Sequence, residues 1–160
     1  MPKVYIGVGS NLGNRAGNLE FAKKELLLLE GLRGLQCSSV YETEPVVVEG
    51  GPFLNAVWCF ETDLLVRDLL GKMQEIELKA NRRRDKPNQA RTLDLDVLFY
   101  GGLVIREPGM IVPHPRLQER AFVLKPFCDL DPEFIHPVLK KTVKKLLSEI
   151  GATYKVQRIV

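Results

Sequence analysis

A strand that carries two carboxylates is encoded by Leu93-Asp94-Leu95-Asp96-Val97-Leu98-Phe99-Tyr100. Successive side chains of a strand point to opposite faces, so side chains two positions apart share a face. We therefore expect Asp94 and Asp96 on one face, and Leu95, Val97 and Phe99 against the core on the other. The pattern predicts a half-buried strand that displays an acidic pair.

The segments before this strand predict the order strand, helix, strand, strand, helix, strand. Apolar spacing places the strands at about 3–8, 35–42, 54–62 and 93–100. One helix follows the turn-rich segment 9–14 and runs to about residue 29, and the other covers about 64–80 after the candidate caps Thr62 and Asp63. This order predicts an α+β fold with a ferredoxin-like βαββαβ core, in which the helices pack on one face of an antiparallel sheet.

The chain after residue 100 predicts a C-terminal extension of this core. Gly101 and Gly102 suit a tight turn, which would make residues 103–105 a hairpin partner of the preceding strand. Prolines punctuate the remainder, and we expect short helices near 117–124 and 142–150 and a final strand over 154–160. No repeat or linker-like composition divides the sequence, so residues 1–160 are expected to form one domain.

The composition is typical of a soluble globular protein. The 160 residues are 45% apolar and 27% charged, and no apolar run approaches the roughly 20 residues that cross a bilayer. The N-terminus lacks the apolar region of a signal peptide, and the three widely spaced cysteines favour neither a disulfide framework nor a zinc site. We therefore expect a cytoplasmic protein with no membrane partner. We also expect a monomer, although the sequence carries no signal for the oligomeric state.

A basic segment directly precedes the acidic pair. Residues 79–91 contain one acidic residue, Asp85, and six basic residues: Lys79, Arg82, Arg83, Arg84, Lys86 and Arg91. The net charge of the whole chain is only +3. Such a segment attracts phosphate or another anion, but on charge alone a solvated basic loop is the preferred interpretation. The small net charge does not favour a nucleic-acid partner.

The acidic pair and the basic segment together suit metal-assisted phosphoryl transfer. Adjacent carboxylates repel unless a cation lies between them, and Mg²⁺ takes oxygen ligands from carboxylates, phosphates and waters. Arginines stabilise the charge of a transferring phosphoryl group. Taken alone, an Asp-x-Asp pair is explained about as well by a solvated strand face as by a metal site. No P-loop is present, and the glycine-containing segment 7–13 is best interpreted as a flexible turn.

Of the two histidines, His114 is the better candidate for a ligand contact, because Pro113 and Pro115 restrict the backbone on both sides. A structural role is still the commoner one for a histidine in such a turn. His136 is given a structural role, and Trp58, the only tryptophan, is placed in the core. No serine, cysteine or histidine set has nucleophile–base spacing, so a covalent hydrolase is not supported.

Six segments, taken in order, resemble the 6-hydroxymethyl-7,8-dihydropterin pyrophosphokinase family of folate biosynthesis over nearly the whole chain. They are 9–15, 40–45, 53–56, Ile76-Glu77 with Arg82 and Arg84, 91–96, and 112–115 with Arg120 and Phe122. The resemblance implies that the chain transfers the terminal diphosphate of ATP, as one unit, to the hydroxymethyl group of a reduced pterin and releases AMP.

The resemblance also implies roles for individual residues. At the reacting phosphates it implies two Mg²⁺ ions on Asp94 and Asp96, charge stabilisation by Arg82 and Arg91, and base help from Asp96. Around the nucleotide it implies Gln74, Glu77, Arg84, His114 and Arg120. Around the pterin it implies an edge contact from Asn55, ring contacts from Phe53 and Phe122, and backbone groups near Thr43 and Val46. Loops near 11–16, 45–52 and 82–90 would act as lids that exclude water.

The chain departs from the family pattern in two places. Residues 87–90 read Pro-Asn-Gln-Ala where the family usually has a basic residue, Trp, Gly and Pro, so a lid tryptophan is missing. Gly109 and Ile111 stand where some members have Arg and Thr. We expect these changes to alter affinity but not the class of reaction.

Three other functions fit parts of the sequence. An RNA-binding module with the same strand order would need exposed aromatic residues on its central strands, where this chain has Asp94 and Asp96. A metal-dependent phosphohydrolase would use the same acids and arginines, but it would not need Asn55 and the paired phenylalanines. A catalytically inactive relative that only binds nucleotide gains weight from the missing tryptophan.

Overall fold

The computed structural model describes residues 1–43, 51–81, 92–151 and 156–159. The strands are β1 (Lys3–Ser10), β2 (Leu32–Cys37), β3 (Tyr41–Thr43), β4 (Phe53–Thr62), β5 (Asp94–Tyr100), β6 (Ile105–Glu107), β7 (Met110–Val112) and β8 (Val156–Arg158). The helices are α1 (Arg15–Leu27), α2 (Val66–Lys79), α3 (Ala121–Leu130) and α4 (Val143–Ile150), with a 3₁₀ turn at Leu117–Glu119. The mixed composition of helices and antiparallel strands confirms the predicted α+β class.

The main sheet is antiparallel and has β1 and β4 at its centre. Its strand order is β5-β1-β4-β3-β8, and β2 pairs with β4 beside β3. The strands β6 and β7 form a separate hairpin. Strand β5 therefore has β1 on one side only, and it forms an edge of this sheet.

Helices cover both faces of the sheet, not one. The first cluster packs α1 and α2 against β1, β4 and β5, through side chains such as Leu26, Leu69 and Ile6. The second packs α3 and α4 against the opposite face, through side chains such as Phe127 and Val57. The two helices of the predicted core, α1 and α2, therefore pack on one face as expected, and the helices of the C-terminal extension cover the other. The second layer is needed because β1 and β4 are apolar on both sides, and both sides must be kept from water. Trp58 lies in the first cluster and is 4% exposed, which confirms its predicted place in the core.

A bulge in β5 corrects the prediction for Phe99. Val97 is opposite Ile6 and Phe99 is opposite Tyr5, so Leu98 is an extra residue on the β5 side. Phe99 consequently packs in the second cluster, edge-on to Tyr5, and not on the face of Leu95 and Val97. The bulge lies beyond the acidic pair, so Asp94 and Asp96 still share a face.

Local hydrogen bonds explain where other element boundaries differ from expectation. The predicted second strand is divided into β2 and β3, because Ser38 bonds to Val57 through both its N–H and its Oγ. Helix α2 starts after Leu65 without a side-chain cap, since Thr62 Oγ1 instead accepts the Leu64 N–H and donates to the Gly31 carbonyl. The partner of residues 105–107 is β7 and not β5.

The C-terminal extension follows the predicted order of elements with shifted bounds. The helix expected at 117–124 is the short 3₁₀ turn followed by α3, which continues to Leu130. The next helix, α4, is capped by Thr142, whose hydroxyl accepts the Lys145 N–H at 3.1 Å. The final strand is β8, which pairs with β3, while the rest of the predicted 154–160 strand lies partly outside the described residues. None of the described helices is long and apolar enough to span a membrane.

Candidate active site

The strand register places the acidic pair and Asn55 on the same face of the sheet. Asp94 is opposite Gly9 of β1, and Gly9 is opposite Asn55 of β4. Residues directly opposite each other in an antiparallel ladder project to the same side. Neighbouring strands lie about 4.8 Å apart, so the backbones of Asp94 and Asn55 are separated by roughly 10 Å. The next row along the acidic strand has Asp96 opposite Gly7.

Gly7 and Gly9 put no side chain between the acids and Asn55, and we call this strip of β1 the furrow; at Gly7 it is bordered by Leu98, whose Cδ2 would lie 3.6 Å from a Cβ atom there. Both glycines lie within β1, so the strand predicted at 3–8 continues to Ser10, and the interpretation of segment 7–13 as a flexible turn was wrong for its first four residues. A Cβ atom at Gly9 would lie 3.0 Å from Asn55 Oδ1 and 3.6 Å from Phe53 Cδ1. The spacing of two glycines two positions apart in a strand is the signal that could have indicated this face, because it removes side chains from one side.

On the β4 side of the furrow, three predicted pterin residues come together. Asn55 is 8% exposed and donates from Nδ2 to Thr43 Oγ1 at 2.9 Å, which fixes the orientation of the amide. Thr43 is directly opposite Phe53, and Phe53 lies two positions before Asn55 on the same face. The amide oxygen and the phenylalanine ring therefore both border the space above Gly9.

The outer edge of β5 is held by α2 and by the turn that contains His114. The Leu95 N–H, which lies between the two acids, donates to Glu77 Oε2 at 2.8 Å. The His114 N–H donates to the Leu98 carbonyl at 3.0 Å. Glu77 is only 1% exposed, so a buried carboxylate fixes the backbone that carries the acidic pair. One helical turn earlier, Gln74 is exposed on the same helix.

His114 is a neutral hydrogen-bond donor near Asp94. Its Nδ1 accepts the Arg116 N–H at 3.2 Å, so the proton of the neutral ring is on Nε2. The pKa of His114 is lowered to about 4, chiefly by burial and also by the positive charges of Arg120 and Arg116, while the negative charge of Asp94 opposes this shift. His114 therefore lies within electrostatic range of both Arg120 and Asp94.

The start of α3 contributes the last of the described candidates. The Arg120 guanidinium lies 5.6 Å from the centroid of the Phe122 ring, a cation–π arrangement. Phe122 packs against the second cluster, on the face of the sheet that carries Asn55 and the acids. Four predicted residues, Val46, Arg82, Arg84 and Arg91, lie outside the described residues, as do most of the predicted lids at 45–52 and 82–90.

Thr92 was not singled out by the sequence, although it follows the basic segment directly. Its Oγ1 is the one buried side-chain oxygen or nitrogen in the described part of the chain that has no hydrogen-bond partner. An isolated threonine hydroxyl carries no pattern that would have revealed this from the sequence. It lies two positions before Asp94, at the entrance of the acidic strand.

Comparison with known proteins identifies the family. Residues 5–132 match the family model described as 7,8-dihydro-6-hydroxymethylpterin-pyrophosphokinase (HPPK). The chain belongs to the HPPK family. The match covers the furrow, both acids and the start of α3, so the membership expected from the sequence is confirmed.

Members of the HPPK family that resemble this chain occur both as separate proteins and as parts of longer ones. A 2-amino-4-hydroxy-6-hydroxymethyldihydropteridine pyrophosphokinase of Aquifex aeolicus is 35% identical over 151 residues, which are 93% of this chain and 92% of that protein. One of Pseudomonas aeruginosa is 38% identical over 136 residues, 84% of each protein. The folic acid synthesis protein fol1 of Pneumocystis carinii is 38% identical over 148 residues, and this chain spans only 20% of its length.

Solved structures show the same fold. The wild-type HPPK-DHPS of Plasmodium falciparum superimposes with a TM-score of 0.73 at 14% identity, over 92% of this chain and 44% of that one. At this identity the likeness supports the architecture and not the individual site residues.

We predict that the bond from Glu77 stabilises the start of β5. Glu77→Ala leaves the buried Leu95 N–H without a partner and should lower the free energy of unfolding by about 1–3 kcal/mol, whereas Glu77→Gln keeps an accepting oxygen and should cost less. Urea denaturation measures both changes. Glu75→Ala on the same helix, where the side chain is 62% exposed, is the matched control. Equal stability of the Ala and Gln variants would contradict the assigned bond.

The lowered pKa of His114 predicts a pH dependence of stability. Its folded-state pKa of about 4 lies below the ordinary value of 6.5, so the unfolded chain takes up the proton first. The resulting stability is complete above about pH 6.5 and is lost as the pH falls towards 4. Thermal unfolding at pH 7 and pH 4.5 should therefore show a larger loss for the wild type than for His114→Gln. Parallel losses in both proteins would contradict the assignment.

Proposed function

We propose that this chain transfers the terminal diphosphate of ATP to the hydroxymethyl group of 6-hydroxymethyl-7,8-dihydropterin, giving the pterin diphosphate and AMP in folate biosynthesis. The single observation that carries the proposal is the row formed by Asp94, Gly9 and Asn55 in a chain of the HPPK family. In this row, carboxylates that can bind a metal–nucleotide complex lie on one side of the furrow, and an amide that can hydrogen-bond to a heterocycle lies on the other. The relatives of similar length, named as pyrophosphokinases, support the same activity.

The reaction is an in-line displacement at the β-phosphorus of ATP. The pterin hydroxyl oxygen forms a new bond to that phosphorus, and the bond from it to the oxygen bridging the α- and β-phosphates breaks. AMP leaves with that oxygen, and the hydroxyl proton passes to Asp96. The furrow sets the distance between the two substrates, and such positioning contributes much of the acceleration in phosphoryl transfer.

Two Mg²⁺ ions on Asp94 and Asp96 would neutralise the phosphate oxygens when bound. Carboxylate oxygens on one face suit this hard cation, which usually takes one or two carboxylates and fills its other positions with phosphates and waters. Among the described residues no group of three or more His, Cys, Asp or Glu side chains could hold a metal alone. Two carboxylates, with the remaining ligands supplied by phosphates and waters, suit an ion that binds together with the nucleotide.

The pterin would lie above Gly9. Asn55 Nδ2 is already bonded to Thr43, so Oδ1, which faces the Gly9 side, would accept an N–H from the edge of the heterocycle. Phe53 and Phe122 would contact the two faces of the ring, and backbone groups near Thr43 and Val46 would complete the pocket. A flat ring with a polar edge matches aromatic faces beside one amide.

The nucleotide would extend from the acids towards α2 and the His114 turn. Arg84, Gln74, Glu77, His114 and Arg120 are assigned to it, and Arg82 and Arg91 to the charge on the transferring group. The proximity of His114 and Arg120 to Asp94 supports this placement. A neutral His114 would donate from Nε2 to a phosphate oxygen without taking a proton from the reaction.

We further propose that the core is ferredoxin-like, that residues 1–160 form one domain, and that the protein acts as a cytoplasmic monomer. The order β5-β1-β4-β2 along the antiparallel sheet is the one expected for a βαββαβ core. A role in RNA binding is not favoured, because α3 and α4 pack on the sheet face that such a module would expose.

Product analysis tests the proposed function. The protein is incubated with ATP, Mg²⁺ and 6-hydroxymethyl-7,8-dihydropterin, and nucleotide and pterin products are separated. AMP with pterin diphosphate supports the transferase. ADP or free phosphate would point to a phosphohydrolase, and binding without turnover to an inactive relative.

We predict that the two acids are required for turnover but not for pterin binding. Asp94→Asn and Asp96→Asn each remove one negative charge without changing size, and each should lower kcat by at least ~100-fold. The pterin affinity should change less than about threefold. Steady-state kinetics and a fluorescence titration with pterin measure the two effects. Near-normal turnover in both variants would overturn the metal assignment.

For Asn55 we predict an effect on pterin binding and little effect on ATP binding. Asn55→Ala removes the proposed acceptor for the pterin edge and should raise the KM for pterin roughly tenfold or more, a loss of about 1.4 kcal/mol or more of binding. The KM for ATP should stay within about twofold. Thr43→Val, which removes the hydroxyl that orients the amide, should give a smaller increase. An equal rise in both KM values would show that Asn55 does not discriminate between the substrates.

A further inference from the structure

Arg15, the first residue of α1, bridges two strand ends beside the proposed pterin pocket. Its Nη1 lies 2.7 Å from Glu42 Oε2 and donates to the Pro52 carbonyl at 2.8 Å. Glu42 is the residue before Thr43 at the end of β3, and Pro52 is the residue before Phe53 at the start of β4. One guanidinium therefore joins α1 to both strands where their ladder ends.

A second side chain from the same turn supports this junction. Asn11 is 4% exposed, and its Nδ2 donates to the Gly51 carbonyl at 3.4 Å. Asn14 caps α1 by accepting the Gly17 N–H at 3.1 Å, which fixes the first turn of the helix and so the position of Arg15. The segment from Asn11 to Arg15 is thus tied to residues 51–52.

The bridge lies on the sheet face opposite the proposed pterin. Glu42 is opposite Leu54, and Leu54 packs in the first cluster, on the side of α1. Thr43 and Phe53, the next pair along the ladder, project to the furrow side. Within the described residues, Arg15 therefore reaches the pocket through the backbone of β3 and β4.

The ladder at this point needs support of this kind. Strand β3 has only three residues, and Thr43 and Phe53 form the last pair of its ladder with β4, while Thr43 is also paired with Val156 of the three-residue strand β8. The ends of short strands open readily, because few backbone bonds hold them. The side chains of Arg15 and Glu42 are 32% and 34% exposed, so the charge-assisted bonds are partly shielded from water.

We propose that Arg15 is a positioning residue for the pterin pocket. By holding Glu42 and Pro52 together it keeps the Thr43–Phe53 end of the ladder closed, and with it the orientation of Asn55 and the place of Phe53. This inference rests on the proposed function. It assigns Arg15 no contact with either substrate.

The test compares Arg15→Met, Arg15→Lys and Glu42→Gln with the wild type. The Met variant removes both bonds and the charge. Lys keeps the charge, but its side chain is shorter and its ammonium does not reach as far as Nη1, the atom that makes both bonds. Glu42→Gln removes the ion pair while leaving the bond to Pro52. Arg67→Met, which breaks an Arg–Glu pair whose side chains are 76% and 55% exposed, is the matched control.

Two measurements are made on each protein. Hydrogen exchange of peptides that contain residues 41–43 and 52–55 is followed in the absence of ligand. The Kd values for 6-hydroxymethyl-7,8-dihydropterin and for Mg²⁺ with a non-hydrolysable ATP analogue are then measured separately. Arg15→Met should speed exchange in these peptides and weaken pterin binding, each roughly tenfold, while the nucleotide Kd stays within about twofold. The Lys and Glu42→Gln variants should fall between Met and wild type, and the control should match the wild type.

Other outcomes overturn the proposal in distinguishable ways. Unchanged exchange in Arg15→Met, or equal weakening of pterin and nucleotide binding, would overturn the role of Arg15 while wild-type turnover of pterin still supported the function. If the wild type gave no pterin diphosphate, the proposed function would fail. The exchange rates of residues 41–43 and 52–55 would then still show whether Arg15 holds the ends of β3 and β4 together.

Discussion

The register between β5, β1 and β4 is the constraint on which the site depends. It places Asp94, Gly9 and Asn55 in one row, so the acids and the amide face the same space from opposite sides of a strand without side chains there. A shift of either ladder by one residue would turn one of these groups to the other face. The apolar side chains on both faces of β1 and β4 set that register, because each must stay buried under its own helices.

Holding an edge strand still is the second requirement of this arrangement. Strand β5 has a neighbouring strand only on its β1 side, and its outer edge is satisfied by Glu77 from α2 and by the backbone of His114. These contacts hold the acidic pair against α2 and the His114 turn, both of which carry residues proposed to bind the nucleotide. At the other end of the furrow, Arg15 does the same for the short strand β3 from the reverse face of the sheet. The chemistry is thus proposed on one face, while much of its support comes from the other face and from the edge.

The sequence pattern predicted the element types and the shared face of Asp94 and Asp96, because both depend on periodicity alone. It did not predict the bulge at Leu98, which depends on Phe99 packing with Tyr5 and Phe127 from distant segments. It placed a single strand where Ser38 divides β2 from β3, since that break depends on bonds to Val57. Gly7 and Gly9 were interpreted as a turn because glycine marks both turns and open strand faces. The acidic pair, the basic segment and His114 were singled out by their local sequence, whereas the other site residues came from the resemblance to a family. Long-range contacts such as that of Arg15 with Glu42 had no local signal.

The most direct test of the account is the position of a bound cation. Crystals of the protein grown with Mn²⁺, a non-hydrolysable ATP analogue and 6-hydroxymethyl-7,8-dihydropterin would locate the metal by its anomalous scattering. We predict metal coordinated by both Asp94 and Asp96, with the pterin above Gly9 and its polar edge on Asn55. Both carboxylates paired with lysine or arginine and no metal beside them, or the pterin on the α1 side of the sheet, would contradict it.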